Sequence, residues 1–400
     1  MKIPFSPPDI GEDEINEVVA ALKSGWITTG PRTKKFESMI TDFCKSSKSA
    51  CFDSCTAALE MTLRLLGVGA GDEVIVPAYT YTASASVICH VGAKPIMIDC
   101  APNSFQMDYE QLPELITEHT KVIIPVDIGG VPCDYEKIFQ AAEMKKSLFR
   151  PKNAVQESFG RVIIVADGAH SLGASRKGTM TGSLADFTAF SFHAVKNLTT
   201  GEGGAITWKH HDFLDNDEIY RQYMLYSLHG QSKDALAKTK LGAWEYDIEA
   251  PYYKCNMTDI SAAIGIAQLG RFPNMLERRR KIVEYYNQNL ADRNVTTLEH
   301  YPQTGEFISS GHLYLVSITG KDSSFRNSVI EKMAEYGVSS NVHYKPLPMH
   351  TAYKNLGFSI SDFPNAYHMY DNEITLPLYS TLTDEQAAFV IETFRKAISE

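Results

Sequence analysis

Seven short runs of almost unbroken apolar residues constrain this chain more than any other feature. They lie at 50–52, 73–76, 95–98, 122–126, 162–166, 187–192 and 205–208. Strands without polar alternation are covered on both faces. Helical stretches separate the earlier runs, as at 56–66, where Leu59, Leu63 and Leu66 share one face. This order predicts an α/β fold with a mainly parallel seven-stranded mixed sheet between helices. The last two runs are too close for an intervening helix, so that part is antiparallel or mixed.

Two helices are expected ahead of the sheet. One covers 10–24, with the stripe Ile15, Val18, Val19 and Leu22, and the other covers about 32–45. Beyond the sheet, 258–269 is an alanine-rich buried helix, and a separate amphipathic helix over about 274–292 leads out. A strand at 313–318, a helix at 324–336 and a strand at 338–343 follow. The last helix starts at Thr383, where Thr383-Asp384-Glu385-Gln386 is a capping-box pattern. Four hundred residues of this kind divide into a large domain, 1–270, and a smaller α+β domain, 271–400. Two stretches interrupt the pattern. Residues 143–160 read as a helix end and a surface excursion broken by Pro151. Residues 229–256 are irregular and carry Trp244, Tyr246 and Tyr252.

A net charge of −10 and a pI near 5.7 speak against nucleic acid or an anionic membrane as the main partner. There is no apolar run of about 18 residues, and the first residues lack the apolar stretch of a signal peptide. The seven cysteines are odd in number and form no CxxC or Cys/His cluster. Reduced thiols in a cytoplasmic protein, without a metal site, are the simplest reading.

Lys196 lies between the last two core runs, where an ammonium is costly to bury. A strand-end lysine whose head reaches water is one reading; a lysine whose amine is consumed as a Schiff base is the other. Its sequence neighbours do not decide, but three other strand ends do. Asp167 closes the run 162–166, where α/β proteins build their sites. Ser54-Cys55-Thr56-Ala57 joins a strand to a helix, and the amides of such a turn suit a phosphate. Tyr81 follows another strand end and is placed to stack on a planar ligand. Alone, Asp167 and Ser54-Cys55-Thr56 read equally as helix caps, and Tyr81 as a core aromatic. Together they match the needs of pyridoxal phosphate. A lysine carries the aldehyde, a carboxylate keeps the ring nitrogen protonated, and a cup neutralises the phosphate.

The sequence resembles the DegT/DnrJ/EryC1/StrS family of sugar aminotransferases, which are fold type I pyridoxal phosphate enzymes. The resemblance covers nearly the whole chain. It includes the loop Ser24-Gly25-Trp26-Ile27-Thr28-Thr29-Gly30-Pro31, the cup 54–59 and Asp167-Gly168-Ala169-His170. Most diagnostic is Ser191-Phe192-His193-Ala194-Val195-Lys196-Asn197-Leu198-Thr199-Thr200-Gly201-Glu202-Gly203-Gly204. Asn256-Met257-Thr258-Asp259, the stretch 337–344 and Phe363-Pro364-Asn365-Ala366 continue it.

The resemblance implies roles. Lys196 is the Schiff-base lysine and proton shuttle, and Asp167 holds the pyridine nitrogen. Ala169 and Tyr81 face the two sides of the ring, and His170 sits near the phenolic oxygen. Cys55, Thr56, Ala57 and Ser191 hold the phosphate. Asn256 reaches the partner's cofactor across a homodimer with shared active sites. Thr28, Thr29, His343 and Tyr344 lie on the substrate side. The 229–252 loop lines the nucleotide site or a dimer contact. L-glutamate is the implied amino donor and a nucleotide-linked keto-deoxysugar the acceptor. A ketocyclitol acceptor and a catalytically retired regulatory homologue are the other readings. A sugar-dehydrating branch has histidine where this chain has Lys196, which argues against that chemistry. The sequence departs from the commonest family pattern at Cys55, usually glycine, at Asp127-Ile128-Gly129-Gly130, at Lys254-Cys255, and in the length of 143–160.

Overall fold

The computed structural model describes residues 1–232, 245–291 and 294–400; Trp244, singled out above, lies outside them. In chain order the strands are β1 (Lys48–Phe52), β2 (Glu73–Pro77), β3 (Lys94–Ile98), β4 (Thr120–Ile123) and β5 (Ile163–Asp167). The small hairpin β6 (Ser175–Arg176) and β7 (Thr179–Met180), then β8 (Phe187–Ser191) and β9 (Gly204–Trp208), follow. Beyond them come β10 (Val295–Thr297), β11 (Phe307–Ile308), β12 (Tyr314–Ile318) and β13 (Glu373–Leu376). The large sheet has the order β1-β9-β8-β5-β4-β2-β3. Every pairing in it is parallel except the two made by β9. The carboxyl ends of six strands and the amino end of β9 therefore share one edge.

The apolar runs are double-sided, as expected. Val74, Val76, Val122, Ile163 and Val165 join the cluster on one face. Ile75, Ile123, Ile164 and Ala166, the alternate residues, join the cluster on the other. Each such side chain, fully buried, contributes about 1.5–3 kcal/mol. A separate cluster forms around β12 and β13 and the helices Ser323–Glu335 and Asp384–Ser399. The capping box at Thr383 is present: Thr383 and Gln386 each donate a backbone N–H to the other's side chain.

Two expectations differ. The helices expected at 258–269 and 274–292 are one helix, Asp259–Leu290, with Pro273 inside it. Its buried face changes partners along its length. Ala262, Ile266, Leu269 and Phe272 pack with Phe36 and Ile40, whereas Ile282, Val283, Tyr286 and Leu290 pack with the β12–β13 cluster. Apolar contacts on both sides outweigh the one backbone hydrogen bond that proline removes. The second difference is at 338–343, which is not a strand. It makes only single bridges, Ile3 to Val338 and Asn341 to Thr375. Val338 alone in that stretch is buried, and the polar 339–341 have no second apolar face to satisfy.

Asp259 ties the long helix to the N-terminal part of the chain. Its carboxylate accepts the N–H groups of Gly30, Arg32 and Thr33 and the Thr33 hydroxyl, at 2.8–3.0 Å. These are the otherwise unpaired donors at the start of the helix Pro31–Cys44. Asp259→Ala is expected to cost about 2–4 kcal/mol in urea unfolding, because it strands several buried donors. Asp259→Asn, which keeps one acceptor oxygen, should recover part of that loss.

Candidate active site

The shared edge of the large sheet opens into a cavity of about 460 Å³. Each strand end supplies its part. The turn after β1 brings Ser54, Cys55 and Thr56, and Ser54 caps the helix Cys55–Leu65 by accepting the Ala57 N–H at 3.1 Å. The segment after β2 brings Thr80, Tyr81 and Ala83; β5 brings Asp167, Ala169 and His170; β8 brings Ser191, His193, Val195 and Lys196. Glu202 and Gly203 come from the approach to β9, and His343 and Tyr344 close the cavity from the far side of the chain. Gly204 has to be glycine: a Cβ there would lie 2.3 Å from the backbone of Ser54 and Cys55. Its absence lets the start of that helix sit against β9.

Asp167 is almost fully buried, with 4% exposure. The Ser84 hydroxyl donates to its Oδ2 at 2.6 Å, the Ala169 N–H to Oδ1 at 3.1 Å, and the Cys55 thiol approaches Oδ1 at 3.9 Å. Burial raises its pKa, and these donors and the charge of Lys196 work in the opposite direction. Desolvation lowers the Lys196 ammonium to about 8, against the pull of Asp167. A neutral amine is therefore accessible to Lys196 near physiological pH.

His170 is buried, and desolvation holds its pKa well below the usual histidine range. Its Nδ1 accepts the Gly129 N–H at 3.2 Å, so its ring proton belongs on Nε2, 3.2 Å from the Tyr344 hydroxyl. Tyr344 accepts that proton and has its own hydroxyl hydrogen left for a ligand.

A family model described as DegT/DnrJ/EryC1/StrS aminotransferase matches residues 8–395. The chain belongs to the DegT/DnrJ/EryC1/StrS aminotransferase family. The enzymes of this family depend on pyridoxal phosphate. Among solved structures, the chain is similar to Spr1654 of Streptococcus pneumoniae, a protein assigned as a sugar aminotransferase. Its PMP-form is 53% identical with a TM-score of 0.97, covering 99% of both chains. Its PLP-form is 51% identical with a TM-score of 0.96, covering 100% of this chain and 99% of that one. The spore coat polysaccharide biosynthesis protein SpsC of Bacillus subtilis is 35% identical over 400 residues, 99% of this chain and 97% of SpsC.

The cavity of this aminotransferase suits its cofactor. Its volume is that of a site for one medium-sized ligand. It offers an amine with a lowered pKa, a buried carboxylate, a helix start and a serine for a phosphate, and an aromatic ring. Of the residues singled out from sequence, Cys55, Thr56, Tyr81, Asp167, Ala169, His170, Ser191, Lys196, His343 and Tyr344 line it. Ala57 does not, and its N–H is already engaged by Ser54. Thr28, Thr29 and Asn256 also lie outside the lining. They gather among themselves: Asn256 Nδ2 donates to Thr29 Oγ1 at 2.5 Å, Thr29 to the Met257 carbonyl at 2.6 Å, and the Asp259 N–H to the Thr28 carbonyl at 3.2 Å.

Several contributors were not singled out in the sequence. Ser84 sits one helical turn after Thr80 and points back to Asp167. Asp127 is buried and accepts from Cys133 N–H, the Tyr135 hydroxyl and the Ser171 hydroxyl, which fixes the turn carrying Gly129 to His170. Burial pushes its carboxyl up to about 6. His312 stands 4.3 Å from His170, ring to ring, and its Nδ1 hydrogen-bonds Asn197, the neighbour of Lys196. The Asp127–Gly130 departure from the family pattern was visible; Ser84 and His312 had no local signal. Among the described residues, no cluster of His, Cys, Asp or Glu could hold a metal ion. No helix of the described residues is long and apolar enough to cross a membrane.

Only the neutral amine of Lys196 attacks an aldehyde. Capture of added pyridoxal phosphate by cofactor-free protein should therefore accelerate as pH rises and level off above about 8. Stopped-flow absorbance checks this; acceleration continuing to the pKa of an ordinary lysine, about 10.4, would contradict it.

Proposed function

We propose that this aminotransferase transfers an amino group from L-glutamate to a keto group on a nucleotide-linked deoxysugar. The observation that carries the reading is Lys196, a lysine of lowered pKa, in one cavity with the buried Asp167. The similarity to Spr1654, assigned as a sugar aminotransferase, and to SpsC, named for polysaccharide biosynthesis, supports a sugar acceptor. The polar groups of Thr80, His193, Glu202, His343 and Tyr344 on the cavity wall suit hydroxyl-rich ligands.

When bound, the cofactor supplies the aldehyde carbon that carries the amino group and a ring that accepts electrons. Lys196 would hold that carbon until the donor's amine displaces it. The freed amine would then take the proton from the donor's α-carbon and, in the second half of the reaction, deliver one to the sugar carbon that receives the amino group. Asp167, held by Ser84, Ala169 N–H and Cys55, keeps a negative charge opposite the ring nitrogen. Ala169 and Tyr81, which line the cavity, would confine the ring between them, and His170 would stand near its phenolic oxygen. Thr56, Ser191 and the amides of the Cys55 turn neutralise the phosphate. His343 and Tyr344 contact the acceptor, and Thr28 and Thr29 extend that side.

Asn256 completes the partner's site in a homodimer. Its place outside its own chain's cavity supports this, as does the exposed apolar face of the helix Glu12–Lys23, where Ile15, Val19 and Leu22 meet solvent beside Ile27. The enzyme works in the cytoplasm, and its chain divides at 270/271 into two domains that share the helix Asp259–Leu290.

Lys196→Ala should lower transfer by roughly a thousandfold or more, because it removes both the covalent anchor and the proton carrier. Release of 2-oxoglutarate from L-glutamate, followed across nucleotide keto-sugars and ketocyclitols, tests the acceptor. Turnover with a cyclitol and none with any nucleotide sugar would overturn that half of the reading. Full activity in a sedimenting monomer would overturn the dimer.

A further inference from the structure

Glu373 and Thr375 lie two apart on β13 and so point to the same face of the strand. Both are fully buried. The Asn341–Thr375 bridge sets the chain carrying His343 alongside β13 at that point. The Thr375 hydroxyl lies 2.5 Å from Glu373 Oε1, and His343 Nδ1 lies 2.9 Å from the same hydroxyl. The other carboxyl oxygen, Oε2, accepts the His343 backbone N–H at 2.9 Å. Phe5 stacks on the imidazole, with ring centroids 5.4 Å apart. Among the described residues nothing pairs with His343 Nε2, and His343 lines the cavity beside Lys196. The reading of His343 as an acceptor-side residue is taken from the function proposed above.

We propose that Glu373 and Thr375 form a proton wire that decides which ring nitrogen of His343 carries the hydrogen, and hence whether Nε2 donates to or accepts from the sugar. A threonine hydroxyl has one hydrogen and points it one way at a time. With Glu373 as the acid, its Oε1–H donates to Thr375, Thr375 donates to Nδ1, and the ring proton sits on Nε2. With Glu373 ionised, Thr375 donates to Oε1 and accepts from Nδ1–H, and Nε2 presents a lone pair. Passing from the first state to the second costs the site one proton. It leaves from Nε2 to the ligand or water, Nδ1 gains hydrogen from Thr375, and Thr375 gains it from Glu373. His343 thus delivers a proton to a ligand oxygen without becoming a cation, and the negative charge rests on Glu373.

Both forms are reachable near neutral pH. No ion pair meets the Glu373 carboxyl among the described residues, and burial pushes it up to about 8. The titratable and charged groups around it are Arg326, Tyr79, His343 and Tyr344. Arg326, from the helix Ser323–Glu335, spends a guanidinium N–H on the Glu373 main-chain carbonyl, not on its carboxyl. Burial raises both tyrosines well above the usual phenol range. Burial and the charge of Lys196 hold His343 down near 3. Of the groups around Glu373, it alone changes charge between about pH 6 and pH 10, about two units to either side of its own pKa. The Lys196 amine, which acts on His343 and itself lies at about 8 in the cofactor-free protein, is taken up by the cofactor in the holoenzyme used for the test.

Nitrogen-15 NMR of histidine-labelled holoenzyme reads the ring tautomer directly, with His343 assigned by the signals lost in His343→Gln. The expected result is Nε2–H below about pH 8 and Nδ1–H above it. In Glu373→Gln the side-chain amide donates to Thr375 at every pH, so the Nε2–H form should persist and the step should vanish. Thr375→Val should also abolish the step, and Thr375→Ser should restore it. Loss of one ligand hydrogen bond in Thr375→Val should raise the acceptor KM roughly tenfold, with recovery in Thr375→Ser. One unchanging tautomer in the wild type, or the same step in Glu373→Gln and Thr375→Val, overturns the wire. If no sugar is turned over yet the tautomer switches, the wire stands and the substrate reading falls. If sugar is turned over without the switch, the reverse holds.

Discussion

A carboxylate buried at the end of a central strand has to be satisfied from several directions at once, and Asp167 is that carboxylate. Ser84 reaches it from the helix after β2, Cys55 from the turn after β1, Ala169 from its own turn, and Lys196 supplies charge from the turn after β8. Left without these groups, a buried charge of this kind would cost several kcal/mol. The requirement fixes the relative positions of four loops. It is met because the parallel strands deliver their carboxyl ends to one edge, and because the reversed β9 starts there with a glycine, Gly204. The same arrangement gathers Lys196, the helix start at Cys55 and Tyr81 around Asp167 in one cavity, so that the groups proposed to receive the cofactor are already in position.

A second set of constraints holds the far wall. Asp127 clamps the turn that orients His170, and His170 in turn bonds Tyr344. Tyr79 donates to the His343 carbonyl at 2.7 Å, linking the end of β2 to the segment that closes the cavity. The stretch 338–343 forgoes strand pairing beyond its two single bridges and leads directly to these two side chains. His170, His343 and Tyr344 therefore each answer to a buried partner on a different element, which limits their freedom to reorient.

What was legible in the sequence follows from how locally each feature is encoded. The seven strands were readable because double-sided burial leaves an unbroken apolar run. Lys196, Asp167, Thr56, Tyr81 and Ser191 were readable because each sits at a strand end in a recognisable short motif. Ala57 was placed in the cup on the same grounds, but its amide serves the helix cap. The continuous helix through Pro273 was not readable, since proline normally ends a helix and only packing on both sides retains it. Ser84, His312 and Glu373 act across long sequence separations. Alone, Ser84 is a polar residue in a helix and Glu373 a strand residue. Asp259 lay inside a quoted motif, yet its work as the cap of a helix more than two hundred residues earlier appears only in three dimensions.

Lys196 is proposed as the one amine that carries the cofactor. Borohydride reduction of the pyridoxal-phosphate-loaded protein, followed by peptide mapping, tests it most directly. One reduced cofactor per chain is expected, on the peptide containing Lys196. Labelling on a different lysine, or an active loaded enzyme with no reducible linkage, would contradict it.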